Sequence, residues 1–148
     1  MMLSKKPVID KKHYEFSIED CRLVTARFEG NKEYVPNSDI KINYNLMVRH
    51  NYVDDGDILN LLLNVEVNCQ DSPILLGVQY GARFNFKHKP EKPEDIAYIA
   101  EINCATIVFP FVREFIADLT IRAGLPPLLL PPVNFVDLYN KNHKHTDD

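Results

Sequence analysis

The stretch PFVREFIADLTIRAGLPPLLLPPVNF, residues 110–135, decides how the rest of the chain folds. Its first half has large apolar residues at helical spacing, between Pro110 and Gly124. Proline is favoured in the first turn of a helix and glycine just past its end. The second half, the leucine–proline loop (residues 125–135), has four prolines among seven residues, which exclude both a helix and a central strand. The stretch therefore predicts an apolar-faced helix that begins at Pro110 and runs into a stiff loop.

The leucine–proline loop is too apolar to lie in water without cost, since covering one leucine side chain is worth about 1.5–3 kcal/mol. Its leucines are Leu125, Leu128, Leu129 and Leu130. One interpretation is that the loop closes the core of its own chain or an ordinary interface between subunits. The other is that it lines a groove for apolar polypeptide. Exposed apolar surface marks interaction sites, so both interpretations stay open.

Upstream of this stretch, four segments alternate apolar and polar residues, the pattern of strands with one buried face. They are residues 14–28, 40–50, 58–69 and 74–87. The first segment changes phase near Asp20–Arg22, which predicts a β-bulge there. Short turns link the second, third and fourth segments, and such links favour a meander of antiparallel strands.

Two more helices complete the predicted order. Asp95 is placed to cap a helix from Ile96 towards Thr106, and Asn134 to cap a short last helix that ends near residue 142. Strands followed by helices indicate an α+β domain. We expect a four-stranded antiparallel sheet of meander type, with a long helix and a short C-terminal helix packed on one face.

The composition indicates one domain with its own core, because 45% of the 148 residues are apolar. We expect this domain to span residues 1–148, with flexible tails at 1–12 and 142–148. The net charge of −4 argues against a nucleic-acid surface. An uninterrupted apolar run of about eighteen residues is absent, so no membrane insertion is expected. The polar first residues lack the apolar core of a secretion signal, and the odd number of cysteines suggests reduced thiols, so we expect a cytoplasmic protein.

The titratable residues have no arrangement typical of catalysis. The five histidines are scattered, and the chain has neither a glycine-rich phosphate loop nor a Cys-x-x-Cys pair. The spacing of Cys21, Cys69 and Cys104 does not suit a metal, and we expect Cys69 and Cys104 to pack as small apolar residues. The sequence therefore predicts a protein that is not an enzyme and has no cofactor and no metal.

Two motifs at a fixed spacing resemble the SecB family of bacterial export chaperones. They are VFPFVREF at 108–115 and the loop LPPLLLPPVNF at 125–135. The fourth strand carries VQYGARF at 78–84, similar to a Val-Gln-x-Gly-x-x-Phe run of the family. The first strand, FSIEDCRLVTARFE at 16–29, has the family's length between its apolar ends. The resemblance covers about residues 14–140.

The resemblance implies an ATP-independent holdase that binds extended, unfolded segments of secretory precursors in apolar grooves and keeps them competent for export by the Sec translocase. The groove would be built from the loop after the first strand, the leucine–proline loop and the last helix. Its lining would include Tyr34, Leu125, Leu128, Leu130, Phe135, Leu138 and Tyr139.

The resemblance also implies a homotetramer, made as a dimer of dimers with the helices between the sheets. We expect its interfaces to use residues of the fourth strand and the long helix. These residues are Val78, Tyr80, Phe111, Phe115 and Leu119.

In the SecB family, acidic residues on the outer sheet face dock the export motor SecA. Here Thr25 and Gly77 occupy two positions that are usually acidic, which leaves Glu29 and Glu66 to fill the role. We therefore expect weak SecA docking. Some SecB-like proteins instead guard the antitoxin of a toxin–antitoxin pair, and a divergent docking face fits that role as well. A structural adaptor with the same fold and no client groove is the third interpretation.

Overall fold

The computed structural model describes residues 14–31, 43–67 and 74–143. Its elements are β1 (Phe16–Gly30), β2 (Asn45–Val53), β3 (Ile58–Val67), β4 (Ile74–Phe86), α1 (Pro93–Tyr98), α2 (Ala105–Arg122) and α3 (Phe135–Asn142). A π-helical segment, Ile99–Cys104, joins α1 to α2, so that Pro93–Arg122 is one long helix. The predicted α+β order of four strands followed by a long helix and a short C-terminal helix is confirmed.

The sheet is antiparallel and has the strand order β1-β4-β3-β2. β2, β3 and β4 form the predicted meander, whereas β1 lies at the far edge beside β4. β1 has two register shifts, between Ile18 and Asp20 and between Leu23 and Thr25, instead of the single bulge predicted near Asp20–Arg22. Bulges twist an edge strand and so disfavour pairing with a foreign strand.

One face of β3 and β4 forms the centre of the core. Its side chains alternate with polar ones and are covered almost completely: Leu59, Leu61, Leu63, Val65, Val67, Leu76, Val78, Ala82, Phe84 and Phe86. This alternation is the pattern from which both strands were predicted. Five residues of the predicted strands, 40–42 and 68–69, lie outside the described part of the chain.

The long helix covers this apolar face, but it begins elsewhere than predicted. Pro110 lies inside α2, and the helix starts at Pro93 with Lys92 as its cap, not Asp95. Pro93 therefore takes the first-turn position that favours proline. Proline inside a helix costs about 3 kcal/mol. The helix continues past Pro110 because apolar residues on both sides of it, such as Val108 and Val112, are buried on the sheet.

By length and composition the long helix could cross a membrane, with a mean hydropathy of 1.4 in its most apolar part. The absence of about eighteen consecutive apolar residues therefore does not by itself exclude a membrane-spanning helix. The core helix of a soluble protein has the same properties, and 39% of this part is buried against the rest of the chain. Length and composition alone thus assign no membrane span.

The predicted C-terminal tail starts too early. Asn142 is the last residue of α3, and His143 bonds to Glu101 of the π-helical segment. The other predicted tail positions, residues 1–12 and 144–148, lie outside the described residues.

Candidate functional site

The leucine–proline loop leaves the long helix through a defined turn. Gly124 has a φ of +81°, in the left-handed region that favours glycine. Its N–H donates to the carbonyl of Ile121 at 2.9 Å, and the N–H of Leu125 donates to that of Thr120 at 3.0 Å. These two bonds form a Schellman motif, which fixes the direction in which the loop departs. The predicted helix end at Gly124 is confirmed.

Two side chains of α2 hold the backbone of the loop. The hydroxyl of Thr120, a residue only 1% exposed, accepts the N–H of Leu128 at 2.9 Å and donates to the carbonyl of Ala117 at 2.8 Å. Nε of Arg113 donates to the carbonyl of Leu130 at 2.6 Å. Because the prolines of the loop lack an N–H, its backbone makes fewer bonds of its own and depends on such side chains.

A third contact comes from the sheet side. The hydroxyl of Tyr44, just before β2, donates to the carbonyl of Pro131 at 3.4 Å. Sequence reasoning missed Tyr44, Arg113 and Thr120 as site residues. A threonine within an apolar helix stripe was the available signal for Thr120, since a buried hydroxyl needs partners.

The structure corrects the prediction for two groove residues. Leu130 is 0% exposed and Phe135 only 5%, so both side chains belong to the core and not to an open wall. The Phe135 ring packs edge-on against Phe109 of α2, with ring centres 5.8 Å apart. The physical reason is that the loop follows no regular period, so its sequence does not say which leucine turns inward.

The other predicted groove residues remain at the surface, apart from Tyr34, which lies outside the described residues. Half-buried residues are Leu125, Leu128, Leu138 and Tyr139. Two exposed residues beside them were not predicted: Leu129 is 57% exposed and Val136 43%. Along the loop and α3, buried core residues are therefore interspersed with apolar residues that remain partly or largely exposed.

The N-terminus of α3 is capped as predicted. The side chain of Asn134 accepts the N–H of Asp137 at 3.0 Å. Further along α3, the ring of Tyr139 packs edge-on against Tyr98 of α1, with ring centres 5.3 Å apart. Both contacts fix the helix that would form one side of a groove.

The C-terminal end of α3 is tied to the rest of the chain through Glu101. Its two carboxylate oxygens lie 3.2 Å from Nε2 of His50 on β2 and 3.1 Å from Nε2 of His143. Burial alone would raise the pKa of the Glu101 carboxyl, but the hydrogen bonds and charge interactions with the two histidines together outweigh it and lower the pKa. Sequence reasoning treated both histidines as scattered, because a contact between residues so far apart in sequence leaves no local pattern.

A second apolar surface lies on the other side of the long helix. Phe111 is 45% exposed, and Phe115 packs edge-on against Tyr80 of β4, with ring centres 5.9 Å apart. Ile121 is 54% exposed at the edge of the same depression. Leu23 of β1, which pairs with Tyr80, is 40% exposed. The surface therefore continues from the helix onto the edge strand.

The residues predicted for subunit interfaces divide between this surface and the core. Tyr80, Phe111 and Phe115 lie on it, and Leu119 is half-buried. Val78 is 0% exposed beneath the long helix, which corrects its assignment. A side chain covered by its own chain has no surface left to offer a partner.

The outer sheet face departs from an acidic docking surface. Glu29 is exposed on β1, and Glu66 is half-buried on β3. Glu66, Gly77 and Arg27 form one row across β3, β4 and β1. A Cβ atom added to Gly77 would lie 3.9 Å from Nη2 of Arg27 and 4.0 Å from Cγ of Glu66. The negative charge of Glu66 is therefore accompanied by the positive charge of Arg27.

Residues 14–31, 43–67 and 74–143 contain no group of three or more His, Cys, Asp or Glu side chains that could hold a metal ion. Cys104 is buried in the core as predicted, and burial raises the pKa of its thiol to about 12. A thiol with so high a pKa is uncharged at neutral pH and is a poor nucleophile.

Comparison with known families assigns this architecture. The family model for preprotein translocase subunit SecB matches residues 15–146. The protein-export protein SecB of Parvibaculum lavamentivorans is 34% identical over 89 residues, 60% of this chain and 52% of that protein. That of Bartonella bacilliformis is 36% identical over 104 residues, 68% of this chain and 64% of that protein. The similarity thus spans between about half and two thirds of the length of these relatives.

Solved structures share the fold. The Mycobacterium tuberculosis SecB-like chaperone, in complex with an antitoxin peptide, has a TM-score of 0.59 and 20% identity, over 80% of this chain and 88% of that chain. A protein of unknown function from Streptococcus agalactiae has a TM-score of 0.54 and 13% identity, over 82% and 100%. At these identities the likeness concerns the fold alone, and it confirms the predicted SecB-like architecture.

Proposed function

Since this chain belongs to the SecB family, we propose that it is an ATP-independent chaperone that binds unfolded precursor polypeptides and keeps them export-competent for the Sec translocase. The observation that carries the proposal is the partly covered apolar surface on the leucine–proline loop and α3. Leu125, Leu128 and Leu138 are half-buried there, and Leu129 is 57% exposed. Such surface gains free energy when it is covered and makes few sequence-specific demands.

Contacts with its own chain hold the loop in place, which supports a holdase that uses no ATP. Prolines fix the backbone dihedral φ at about −65°. Thr120, Arg113 and Tyr44 bond to the loop backbone at three further points. A surface ordered in advance loses little conformational entropy on binding. The free energy of covering the client's apolar side chains is then available for affinity.

The second apolar surface supports assembly. Tyr80, Phe111, Phe115 and Ile121 would be covered in a homotetramer built as a dimer of dimers. Several grooves on one particle would bind a long unfolded chain at several segments, and this raises the overall affinity well above that of one groove. No enzymatic activity, cofactor or metal is needed for this function, and its place is the cytoplasm.

Docking to the motor SecA is proposed to be weak. Glu29 and Glu66 are the acids left for the role, and Arg27 lies beside Gly77 near Glu66. Charges on a surface chiefly provide long-range attraction, which physiological salt screens over about 8 Å. We expect SecA binding to be weaker and less salt-sensitive than that of a relative with an acidic face. Titration at two salt concentrations measures both quantities, and tight, strongly salt-dependent binding would contradict the expectation.

The experiment for the main proposal is suppression of aggregation. A client protein is diluted from denaturant, with and without the purified chaperone at stoichiometric amounts and in the absence of ATP. We expect light scattering to stay low and the client to be recovered in a complex with the chaperone. Unchanged aggregation would contradict the proposal and favour an adaptor without a client groove. Clients recovered from the native host would separate secretory precursors from an antitoxin.

A further inference from the structure

The outer face of the sheet, away from the helices, has an open depression that the proposed groove does not use. Arg22, Gly81, Leu62 and Arg49 form one row across β1, β4, β3 and β2. Arg83 lies two residues further along β4, in the next row on the same face of the sheet. The depression exists because the middle of the row carries no side chain at Gly81.

The glycine is closely packed from one side. A Cβ atom added to Gly81 would lie 3.0 Å from Cγ2 of Val24, the residue at the second bulge of β1. A larger residue would therefore displace Val24 and fill the depression. Leu62 and Val24 give its floor and edge an apolar character. The sheet thus offers a shallow apolar floor with cations around it.

The charges around the floor are unbalanced. Three arginines and one aspartate line the depression. Nη2 of Arg22 pairs with Asp20 at 2.6 Å. Arg49 and Arg83 are both exposed, and within residues 14–31, 43–67 and 74–143 neither forms an ion pair. Two guanidinium groups are therefore available on the same face, on strands that are separated by β3.

We propose that this depression docks an acidic segment of a partner protein, with carboxylates of that segment bound by Arg49 and Arg83. A guanidinium group matches a carboxylate with two parallel hydrogen bonds, so arginine suits this recognition better than lysine does. From strand spacing and rise, the Cα atoms of Arg49 and Arg83 are about 12 Å apart. In an extended peptide with acidic residues at alternate positions, the first and third acidic residues are about 13 Å apart, which matches that distance. Gly81 lets the peptide backbone approach the sheet.

The overall charge favours a carboxylate partner over a nucleic acid. The chain carries a net charge of −4, so the protein surface outside this patch would repel a long polyanion. Nucleic-acid binding needs a row of phosphate contacts, whereas two arginines suit a short acidic segment. The patch has the opposite sign to an acidic motor-docking face. The inference does not depend on the proposed chaperone function.

The test uses two labelled peptides, one alternating glutamate and serine, the other with lysine in place of every glutamate. Fluorescence anisotropy measures their affinity for the protein at low and at physiological salt. The variant Arg49→Gln/Arg83→Gln removes the two available cations. Its matched control, Lys87→Gln/Lys92→Gln, removes two exposed cations outside the depression. All four positions are exposed, so both variants should fold, and circular dichroism checks this.

We expect the glutamate peptide to bind the wild-type protein and the control equally, more weakly as salt rises. The Arg49→Gln/Arg83→Gln variant should lose at least tenfold in affinity. Equal losses in both variants, no binding to the wild type, or tighter binding of the lysine peptide would each overturn the proposal. Displacement of the glutamate peptide by inorganic polyphosphate at equal charge concentration would also overturn it, because the patch would then bind any polyanion.

Discussion

At the scale of single residues, Thr120 is one of the side chains that hold the leucine–proline loop to the long helix. Its buried hydroxyl joins the loop to the helix, through the N–H of Leu128 and the carbonyl of Ala117. The substitution Thr120→Val keeps the shape of the side chain but removes the hydrogen bonds of the hydroxyl, and it leaves the partly buried N–H of Leu128 without a partner. Such a loss typically costs about 1–3 kcal/mol. We expect the free energy of unfolding to fall by that amount, and client affinity to fall as well.

The matched control for this substitution is Thr106→Val. The hydroxyl of Thr106 donates to the carbonyl of Ile102 in the same helix, but it is exposed and holds no loop. Denaturant unfolding of the two variants compares the effects. If Thr120→Val is no more destabilising than Thr106→Val, the loop is held by packing alone and the account of its anchoring is wrong.

At the scale of elements, α3 depends on the contact of Glu101 with His50 and His143. The pKa of Glu101 is below its usual value of 4.5 in the folded protein. A carboxyl whose pKa is lowered by folding contributes stability above its unfolded-state pKa, and this stability is lost as pH falls through the folded-state pKa. We expect the free energy of unfolding to decrease as the pH falls below 4.5. The decrease should be smaller in the Glu101→Gln variant.

Urea unfolding over a series of pH values measures this difference. Glu19→Gln changes an exposed carboxyl of β1 and serves as the control, which should follow the wild-type curve. A Glu101→Gln curve parallel to the wild type throughout the acid range would mean that the contact contributes no pH-dependent stability.

The elements also show which parts of the fold could be predicted from sequence. The start of β3 at Ile58 could be predicted, because a strand buried on one face alternates apolar and polar residues in its own sequence. The position of β1 beside β4 could not be predicted in this way, since alternation indicates a face and not a neighbour. The helix start was wrongly predicted at Pro110. Pro93 is equally suited to the first turn of a helix, and the burial of α2 outweighs the cost of a proline inside it.

The sequence indicated which segment forms the candidate site, but not which of its side chains are exposed and which are buried. The resemblance indicated the leucine–proline loop, whereas the inward turn of Leu130 and Phe135 follows from three-dimensional contacts with Arg113 and Phe109. The Glu101 contact was missed for the same reason. Side-chain bonds between distant segments leave no periodic pattern, and the sequence of either partner alone does not indicate them.

At the scale of the whole molecule, two substitutions separate assembly from folding. Phe111→Asp places a charge on the exposed surface of the long helix, where it would be desolvated only when subunits associate. We expect smaller particles with unchanged secondary structure. Val78→Asp buries an unpaired charge inside one chain and should prevent folding. Light scattering and circular dichroism distinguish the outcomes. A Phe111→Asp variant of wild-type size would contradict the predicted interface.

The leucine–proline loop is proposed to be a binding wall for clients, supported from behind by its own core residues. The measurement is the affinity of an unfolded client for Leu128→Ala/Leu129→Ala and for Leu130→Ala, each with its thermal stability. We predict a tenfold or greater loss of affinity in the first variant, about 1.4 kcal/mol, with the assembly intact. Leu130→Ala should lose about 2–5 kcal/mol of stability, with unchanged affinity per folded molecule. A Leu128→Ala/Leu129→Ala variant that loses stability but binds clients as tightly as the wild type would contradict the account.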